Sequence, residues 1–248
     1  MPGTLSDFSE QQAARLLGAP PVQMLEIVDR FERSEPITNH PFMQRLAREE
    51  PNLQHLWLLL ANFQISISKS FARRLAGIAG RVDDERIRCI LAVQLNDEMG
   101  RGKFEDAHIN LFASMMQQLE PWRPAGADER VLSAGRNLDP KLARIYGAED
   151  VFESVGAVMA GEVFGKQMDQ FIGDLFRRQT ELDTNSLKWL VLHEELEVAH
   201  ADESSELARL VPAASLNACW RGACNLAAAG GSFLDDLYEL AYGNRMLM

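Results

Sequence analysis

Apolar residues recur at helix spacing along almost the whole chain, and this pattern constrains the fold more than any other feature of the sequence. Patterns typical of strands, in which β-branched residues alternate with polar ones between turn pairs, are nearly absent. We find no internal repeat, no low-complexity tract and no domain boundary in the 248 residues. We therefore predict an all-α protein: one domain over residues 1–248, a compact bundle of about seven to nine helices, with residues 1–37 as a helical N-terminal extension.

Capping residues and helix breakers bound several of these helices. Asp84 is predicted to cap a helix over Glu85–Glu98, and a new helical pattern follows Gly100 and Gly102. The other predicted helices cover residues 7–17, 24–33, 51–71, 104–119, 142–146, 150–176 and 215–247, and one more runs from a cap at 183–186 to about 210.

Charge and cysteine content narrow the partners and the compartment. The formal net charge of -11 repels phosphate, so we expect neither nucleic acid nor an anionic membrane surface as a partner. We expect no secretion signal, and no run approaches the ~18 apolar residues of a membrane helix. The three cysteines match no zinc spacing and are too few for a disulfide framework, so we predict reduced thiols and a cytoplasmic protein.

The stretch HEELEVAH places two of the five histidines on one predicted helix face. Each helical residue turns by ~100°, so seven residues bring His200 back over His193. Glu197 falls between them on the same face. Burying such a stripe is costly unless its groups are paired or bind a metal. The alternative interpretation is a solvated helix face, since glutamates are common on helix surfaces.

Glu162 lies within an unusually apolar stretch rich in small residues, VGAVMAGEVFGK. Small residues allow helices to pack closely, so a lone carboxylate among them is expected to face inward. A surface glutamate paired with Lys166 is the alternative.

The third cluster is NDEMGRGKFEDAHINLF, which supplies His108 and two competing carboxylates. Glu105 and His108 share a helix face at spacing i, i+3. Glu98 is ten residues before His108, which on an unbroken helix is ~15 Å of rise. Gly100 and Gly102 can break the helix and shorten that distance. Geometry alone slightly favours Glu105, and both remain candidates.

These clusters together predict a metal site in the bundle interior. Carboxylates and histidines from several facing helices form the ligand sets of bundle-core di-metal sites, often with Glu-x-x-His pairs. Neutral imidazole and carboxylate are donors that suit iron. Each cluster alone also fits a structural role, but together they use three of the five histidines.

The order and spacing of these residues resemble the haem-oxygenase-like di-iron oxidases and oxygenases, the iron-containing redox enzymes. The order is Glu…His, a Glu 54 residues on, and His-x-x-x-acid-x-x-His after another 31 residues. The Asn-x-x-Glu-x-Gly-x-Gly run from Asn96, the segment His40-Pro41-Phe42 and the segment from Phe233 to Tyr238 are also similar. The resemblance covers roughly residues 38–242.

The resemblance implies a haem-oxygenase-like fold and a ligand set. Carried over residue by residue, that set is Glu98, His108, Glu162, His193, Glu197 and His200, so the resemblance favours Glu98 over Glu105. Family members commonly have Asp where Glu197 stands. Some have a further carboxylate from an earlier helix, and residues 56–82 contain no acid that could supply it.

The resemblance also implies an activity: an iron-dependent oxidoreductase with two irons per chain and dioxygen as co-substrate, acting on an amino acid, an amine or a fatty acid. The alternatives are a metal-independent enzyme of the same fold, thiaminase-like or a cofactorless oxidase, and a non-catalytic helical binding protein. The sequence does not determine the oligomeric state, and a homodimer is one expectation. His55 is interpreted as a packing or surface residue. Candidate pocket residues are Phe63, Met159, Phe164, Trp189 and Phe233.

Overall fold

The computed structural model describes residues 18–48, 53–179 and 187–243, and for residues 179 and 194–202 it describes the helical backbone without the side chains. Within these ranges the chain forms ten α-helices and no strand, so the all-α prediction is confirmed. The helices are α1 (Leu25–Ser34), α2 (Pro41–Arg48), α3 (Leu53–Phe63), α4 (Phe71–Ala79), α5 (Glu85–Glu98), α6 (His108–Gln118), α7 (Ser133–Tyr146), α8 (Val151–Gln179), α9 (Lys188–Leu210) and α10 (Leu216–Tyr242).

The long helices α8 and α10 form the centre of the bundle, and glycines allow their backbones to touch. A Cβ atom on Gly156 of α8 would overlap the carbonyl oxygen of Cys219, and one on Gly222 of α10 would overlap that of Glu153. The two contacts are reciprocal, so each helix contributes one glycine to the crossing. α1 packs on the same core through Phe31, which is fully buried against the rings of Phe164 and Trp220.

A π-helix interrupts the apolar helix predicted over residues 51–71. α3 ends at Phe63, the π-helix spans Gln64–Ser68, and α4 starts at Phe71. The buried Ser66 hydroxyl donates to the Asn62 carbonyl at 2.8 Å, a back-bond that disturbs helix geometry. The Asn62 side chain is bonded to backbone groups of Val131 and Gly135, which ties this break to the start of α7. The predicted continuous helix is therefore wrong.

Other helix bounds agree with the sequence to different degrees. α5 has the predicted bounds, and Asp84 caps it by accepting the Arg86 N–H at 2.9 Å. α7 starts at Ser133 rather than at residue 142. Pro140 lies inside this helix and does not end it. The helix predicted from residue 104 begins only at His108. The predicted helix 7–17, the cap at 183–186 and the end of the last helix beyond residue 243 lie outside the described residues.

None of the helices in the described ranges is long and apolar enough to cross a bilayer.

Candidate metal centre

A chain reversal between α5 and α6 brings Glu98 next to His108. Gly100, Arg101 and Gly102 have φ values of 67°, 53° and 83°, so three successive residues occupy the left-handed region. A Cβ on Gly100 would overlap the backbone of Ala107, so only glycine allows the chain to fold back this tightly. The exposed Arg101 side chain pairs with Asp97 at 2.7 Å.

Glu98, His108 and His193 converge on one point. Glu98 Oε1 lies 3.0 Å from His108 Nδ1, and their side chains are 14% and 4% exposed. The imidazole rings of His108 and His193 are 4.6 Å apart between centroids. Each of the three residues offers a ligand atom, and these atoms all lie within 4.8 Å of one another. Two histidines and a carboxylate from three helices therefore reach a common centre.

Trp189, one turn before His193 on α9, fixes the orientation of that imidazole. His193 Nδ1 lies 2.8 Å from the Trp189 carbonyl oxygen, which can only accept, so Nδ1 donates this hydrogen bond; in a neutral imidazole, Nε2 is then the atom that can ligate a metal. The indole packs against the imidazole with 4.0 Å between centroids and contacts Phe112 edge-on at 4.8 Å. The ring of Phe112 in turn stacks on Phe63 at 5.5 Å.

An ion pair connects the reversal to the start of α9. Lys188 Nζ lies 2.8 Å from Asp106 Oδ1, and this hydrogen bond lowers the pKa of the Asp106 carboxyl below its ordinary value. Both groups are accessible to solvent, so the pair contributes little to stability. It does hold the segment before His108 close to the turn that carries Trp189 and His193.

The three residues line a mostly apolar cavity of about 180 Å³ in the bundle interior. Glu162 on α8 lines the same cavity, as the sequence predicts for an inward-facing carboxylate. It lies outside the 4.8 Å group formed by the other three. Among the candidate pocket residues, Phe63, Phe164, Trp189 and Phe233 line the cavity, whereas Met159 is fully buried in the core.

The remaining predicted ligands are placed as follows. Glu105 is exposed in the turn before His108 and does not belong to the group. The side chains of Glu197 and His200 lie outside the described part of the structure. Ser204 is fully buried and lines the cavity eleven residues after His193, which is about three helical turns. Positions 197 and 200 therefore fall between two cavity-facing positions on the same face of the α9 backbone.

Seven further polar residues line the cavity and were not predicted as site residues: Glu32, Ser68, Arg74, Tyr146, Lys166, Asp169 and Ser204. Asp169 is 4% exposed and follows Glu162 by seven residues, so the spacing that links His193 to His200 could have found it. Arg74 and Tyr146 reach the cavity from α4 and α7 through tertiary packing. No local sequence pattern predicts that these two residues line the cavity.

The other two histidines are buried away from this centre. The His55 ring packs edge-on against Tyr242 with 4.6 Å between centroids, in keeping with a packing residue. His40 lies 3.2 Å from Asp235, and its Nδ1 accepts the Phe42 N–H at 3.1 Å.

The donor set at the centre fits iron. Imidazole and carboxylate are the ligands that non-haem iron uses, and two histidines with one carboxylate leave coordination positions open. The close approach of three polar groups in a mostly apolar cavity is what a bound cation would stabilise.

The fold defines the class of protein: the chain has the haem-oxygenase-like fold. A domain of unknown function from Shewanella denitrificans, described as having a heme oxygenase-like fold, superposes with a TM-score of 0.64 at 16% identity, covering 90% of this chain and 93% of that one. Two crystal structures of a CADD-like protein of unknown function from Nostoc punctiforme superpose with TM-scores of 0.70 and 0.69 at 14% and 13% identity. They cover 87% and 91% of this chain and 97% and 98% of those chains.

A profile of the iron-containing redox enzyme family matches residues 64–231, which include Glu98, His108, Glu162 and His193. The chain belongs to this family, as its sequence motifs predict. No curated protein sequence matches the chain.

Proposed function

We propose that the protein is a di-iron, dioxygen-activating oxidase or oxygenase that acts on a small organic molecule. The observation that carries this proposal is the convergence of Glu98, His108 and His193 within 4.8 Å of one another at the wall of an internal cavity. Membership of the iron-containing redox enzyme family supports it.

The first iron position is assigned to Glu98, His108 and His193. Glu105 is not assigned a ligand role, since its exposed position leaves Glu98 as the carboxylate beside His108. The Trp189 carbonyl accepts a hydrogen bond from His193 Nδ1, which makes Nε2 the ring atom assigned as the iron ligand.

The second iron position is assigned to Glu162, Glu197 and His200. Glu162 lines the cavity but lies outside the first group, as a ligand to a neighbouring ion would. Positions 197 and 200 lie on the α9 face that carries His193 and Ser204, both of which line the cavity. This second assignment depends on helix register for Glu197 and His200.

The chain's own residues prepare the cavity for chemistry. Iron, when bound, supplies the electrons and open coordination positions for the reduction of dioxygen. Phe63, Trp189 and Phe233 line the cavity with apolar surface, which gives the apolar part of an organic substrate a surface to bind. Glu98 Oε1 and His108 Nδ1 lie 3.0 Å apart, so both ligand side chains are already directed to the same position before a metal binds.

A metal-independent enzyme built on a cysteine nucleophile is less consistent with the described residues. None of the described residues lining the cavity is a cysteine. Burial raises the pKa of the Cys219 thiol to about 12 and that of Cys224 to about 11, so both stay protonated and unreactive at neutral pH. The third cysteine, Cys89, is exposed on α5.

The test is an oxygen-uptake screen. The purified chain is loaded with Fe(II) under anaerobic conditions, freed of excess metal, and mixed with air-saturated buffer containing fatty acids, amino acids or amines. We expect one of these classes to stimulate oxygen uptake in the iron-loaded chain and not in a zinc-loaded control. Equal activity of the zinc-loaded, iron-loaded and chelator-treated chains would contradict the proposal and favour a metal-independent enzyme.

A further inference from the structure

Arg74 and Tyr146 line the cavity from two different helices and belong to neither proposed iron position. Arg74 lies in α4 and Tyr146 is the last residue of α7. The Arg74 side chain is 8% exposed and Tyr146 is 7% exposed. Buried donors that face a cavity are expected to have a hydrogen-bond acceptor as partner.

The Arg74 guanidinium is only partly used by the protein. Its Nη1 donates to the Ser66 carbonyl at 2.8 Å, and its Nη2 donates to the carbonyl and the carboxylate of Asp139 at 3.1 and 2.5 Å. A guanidinium carries five N–H groups, so two of them remain after these three bonds. Burial lowers the pKa of Arg74, and the charge of Asp139 opposes this, so the group stays protonated.

The Tyr146 hydroxyl lies against α8 next to Glu162. It is 3.2 Å from the position that a Cβ atom on Gly161 would occupy, so the glycine makes room for it. Among the described residues, no hydrogen bond of this hydroxyl is found; the phenol ring itself packs edge-on against Phe71 at 6.1 Å. Burial raises the pKa of Tyr146 well above its ordinary value of 10.0, and the negative charge of Glu162 raises it further, so the hydroxyl keeps its proton and can donate it.

We propose that Arg74 and Tyr146 form a subsite that binds a carboxylate group of the substrate. A carboxylate has two oxygens that accept several hydrogen bonds, and a guanidinium with a phenol hydroxyl matches that geometry and charge. The inference rests on the proposed function only in that the ligand is taken to be the substrate; the donors belong to Arg74 and Tyr146 and are present with or without iron.

The surroundings of the subsite define the rest of the ligand. Phe71, Leu142 and Phe233 line the same cavity and present apolar surface. The expected substrate is therefore a small carboxylic acid with an apolar body, which the subsite anchors at its acidic end. Glu162 and Asp169 line the same cavity and offer acceptors to a cationic amine, so preferential binding of an amine is the competing outcome that the probes below distinguish.

Binding of three matched probes tests this proposal in the full-length chain, both iron-loaded and chelator-treated. The probes are hexanoate, hexanamide and hexylamine, and the measurement is isothermal titration calorimetry. We expect hexanoate to bind most tightly in both states. Tyr146→Phe removes one donor to a charged acceptor, so it should weaken hexanoate binding about tenfold or more and leave hexylamine unchanged. Tyr238→Phe, a half-buried tyrosine beside Arg45, is the matched control.

A second variant moves the hydroxyl without removing it. Gly161→Ala places a methyl group close to the Tyr146 hydroxyl and should reduce the preference for hexanoate in the same direction as Tyr146→Phe. The control is Gly77→Ala, a helical glycine at which an added Cβ meets nothing within 4 Å. Arg74 itself is left intact because its bonds join α4 to α7.

Three results would overturn the subsite. The first is that hexanoate binds no more tightly than hexylamine. The second is that the Tyr146→Phe variant binds hexanoate with wild-type affinity. Loss of iron in Tyr146→Phe would assign the hydroxyl to the metal site instead. The proposed function fails separately: a chain that binds no iron but prefers hexanoate after chelator treatment keeps the subsite and loses the di-iron assignment.

Discussion

At the scale of single residues, the candidate centre depends on one glycine and on the choice between two glutamates. Glu98 and His108 are ten residues apart, yet their side chains meet at 3.0 Å. On a continuous helix this contact is impossible, and the left-handed conformations of Gly100, Arg101 and Gly102 make it possible.

Replacing the two glutamates separately should give different iron affinities. Glu98→Ala removes a carboxylate that lies with His108 and His193, so Fe(II) affinity measured by competition with a chromophoric chelator should fall by at least about tenfold. Glu105→Ala removes an exposed side chain and should bind as the wild type does. The opposite order would reassign the carboxylate to Glu105.

Gly100→Ala should destabilise the protein and weaken iron binding together. The substitution combines an unfavourable φ of 67° with overlap of the Ala107 backbone, which we expect to lower the free energy of unfolding by about 2 kcal/mol or more. Gly102→Ala is the matched control, because its φ is 83° but an added Cβ meets nothing within 4 Å, so about 1 kcal/mol is expected. Urea unfolding of the metal-free chains measures both, and equal losses would show that the reversal is not tightly packed.

Sequence reasoning found candidates at this scale where the information is local. The spacing of His193, Glu197 and His200 places them on one face from helix geometry alone, and the apolar surroundings of Glu162 indicate an inward position. The chain reversal is harder to predict from the sequence. Gly100 and Gly102 indicate a helix break but not that the chain folds back on itself, so geometry alone slightly favours Glu105. The resemblance to the family pointed to Glu98, the residue that lies beside His108.

At the scale of helices, the bundle is held at its centre by the glycine crossing of α8 and α10. Gly156 and Gly222 each meet a backbone carbonyl of the other helix. The small-residue run before Glu162 therefore has a packing function as well as a position next to the cavity. Backbone contact of this kind leaves no room for even one methyl group.

Gly156→Ala and Gly222→Ala should each be destabilising, although alanine is the better helix former. We expect a loss of about 1–3 kcal/mol from overpacking, observed as a lower urea midpoint. Gly77→Ala should instead stabilise by up to about 1 kcal/mol, because it gains helix propensity without a clash. If all three variants were equally stabilised, the helices would have to be further apart than described.

At the scale of helices, the sequence predicted a helix start correctly where the capping residue is a sequence neighbour. It failed where a buried polar side chain, bonded to distant residues, determines where a helix is interrupted. Asp84 caps the start of α5 because its side chain accepts a hydrogen bond from the Arg86 N–H, two residues away. The π-helix after α3 depends on Asn62 and its bonds to Val131 and Gly135, which are about 70 residues away. An apolar pattern read along the chain cannot contain that information.

At the scale of the whole molecule, the all-helical class follows from periodicity, while the cavity does not. The cavity is assembled from segments far apart in sequence, and Arg74 and Tyr146 enter it only through the way α4 and α7 pack. The sequence therefore indicates which helices can carry ligands, and the fold decides which other groups accompany them.

Iron binding should stabilise the folded chain as a whole. A ligand that binds only the native state adds about 2.7 kcal/mol at one hundred times its Kd, which for a domain of this size raises Tm by about 5–10 °C. Differential scanning calorimetry with Fe(II) under anaerobic conditions measures the shift, and Mg²⁺ is the control ion. Equal shifts with both ions would point to nonspecific binding at the acidic surface.

Counting iron in purified protein tests the central claim most directly. We predict about two iron ions per chain in the wild type and in the control variant His55→Ala, which alters a histidine packed against Tyr242. His193→Ala should lose at least one ion, since it removes the imidazole that α9 contributes beside Glu98 and His108. An unchanged iron count in His193→Ala, or a wild-type chain that retains no iron, would contradict the account.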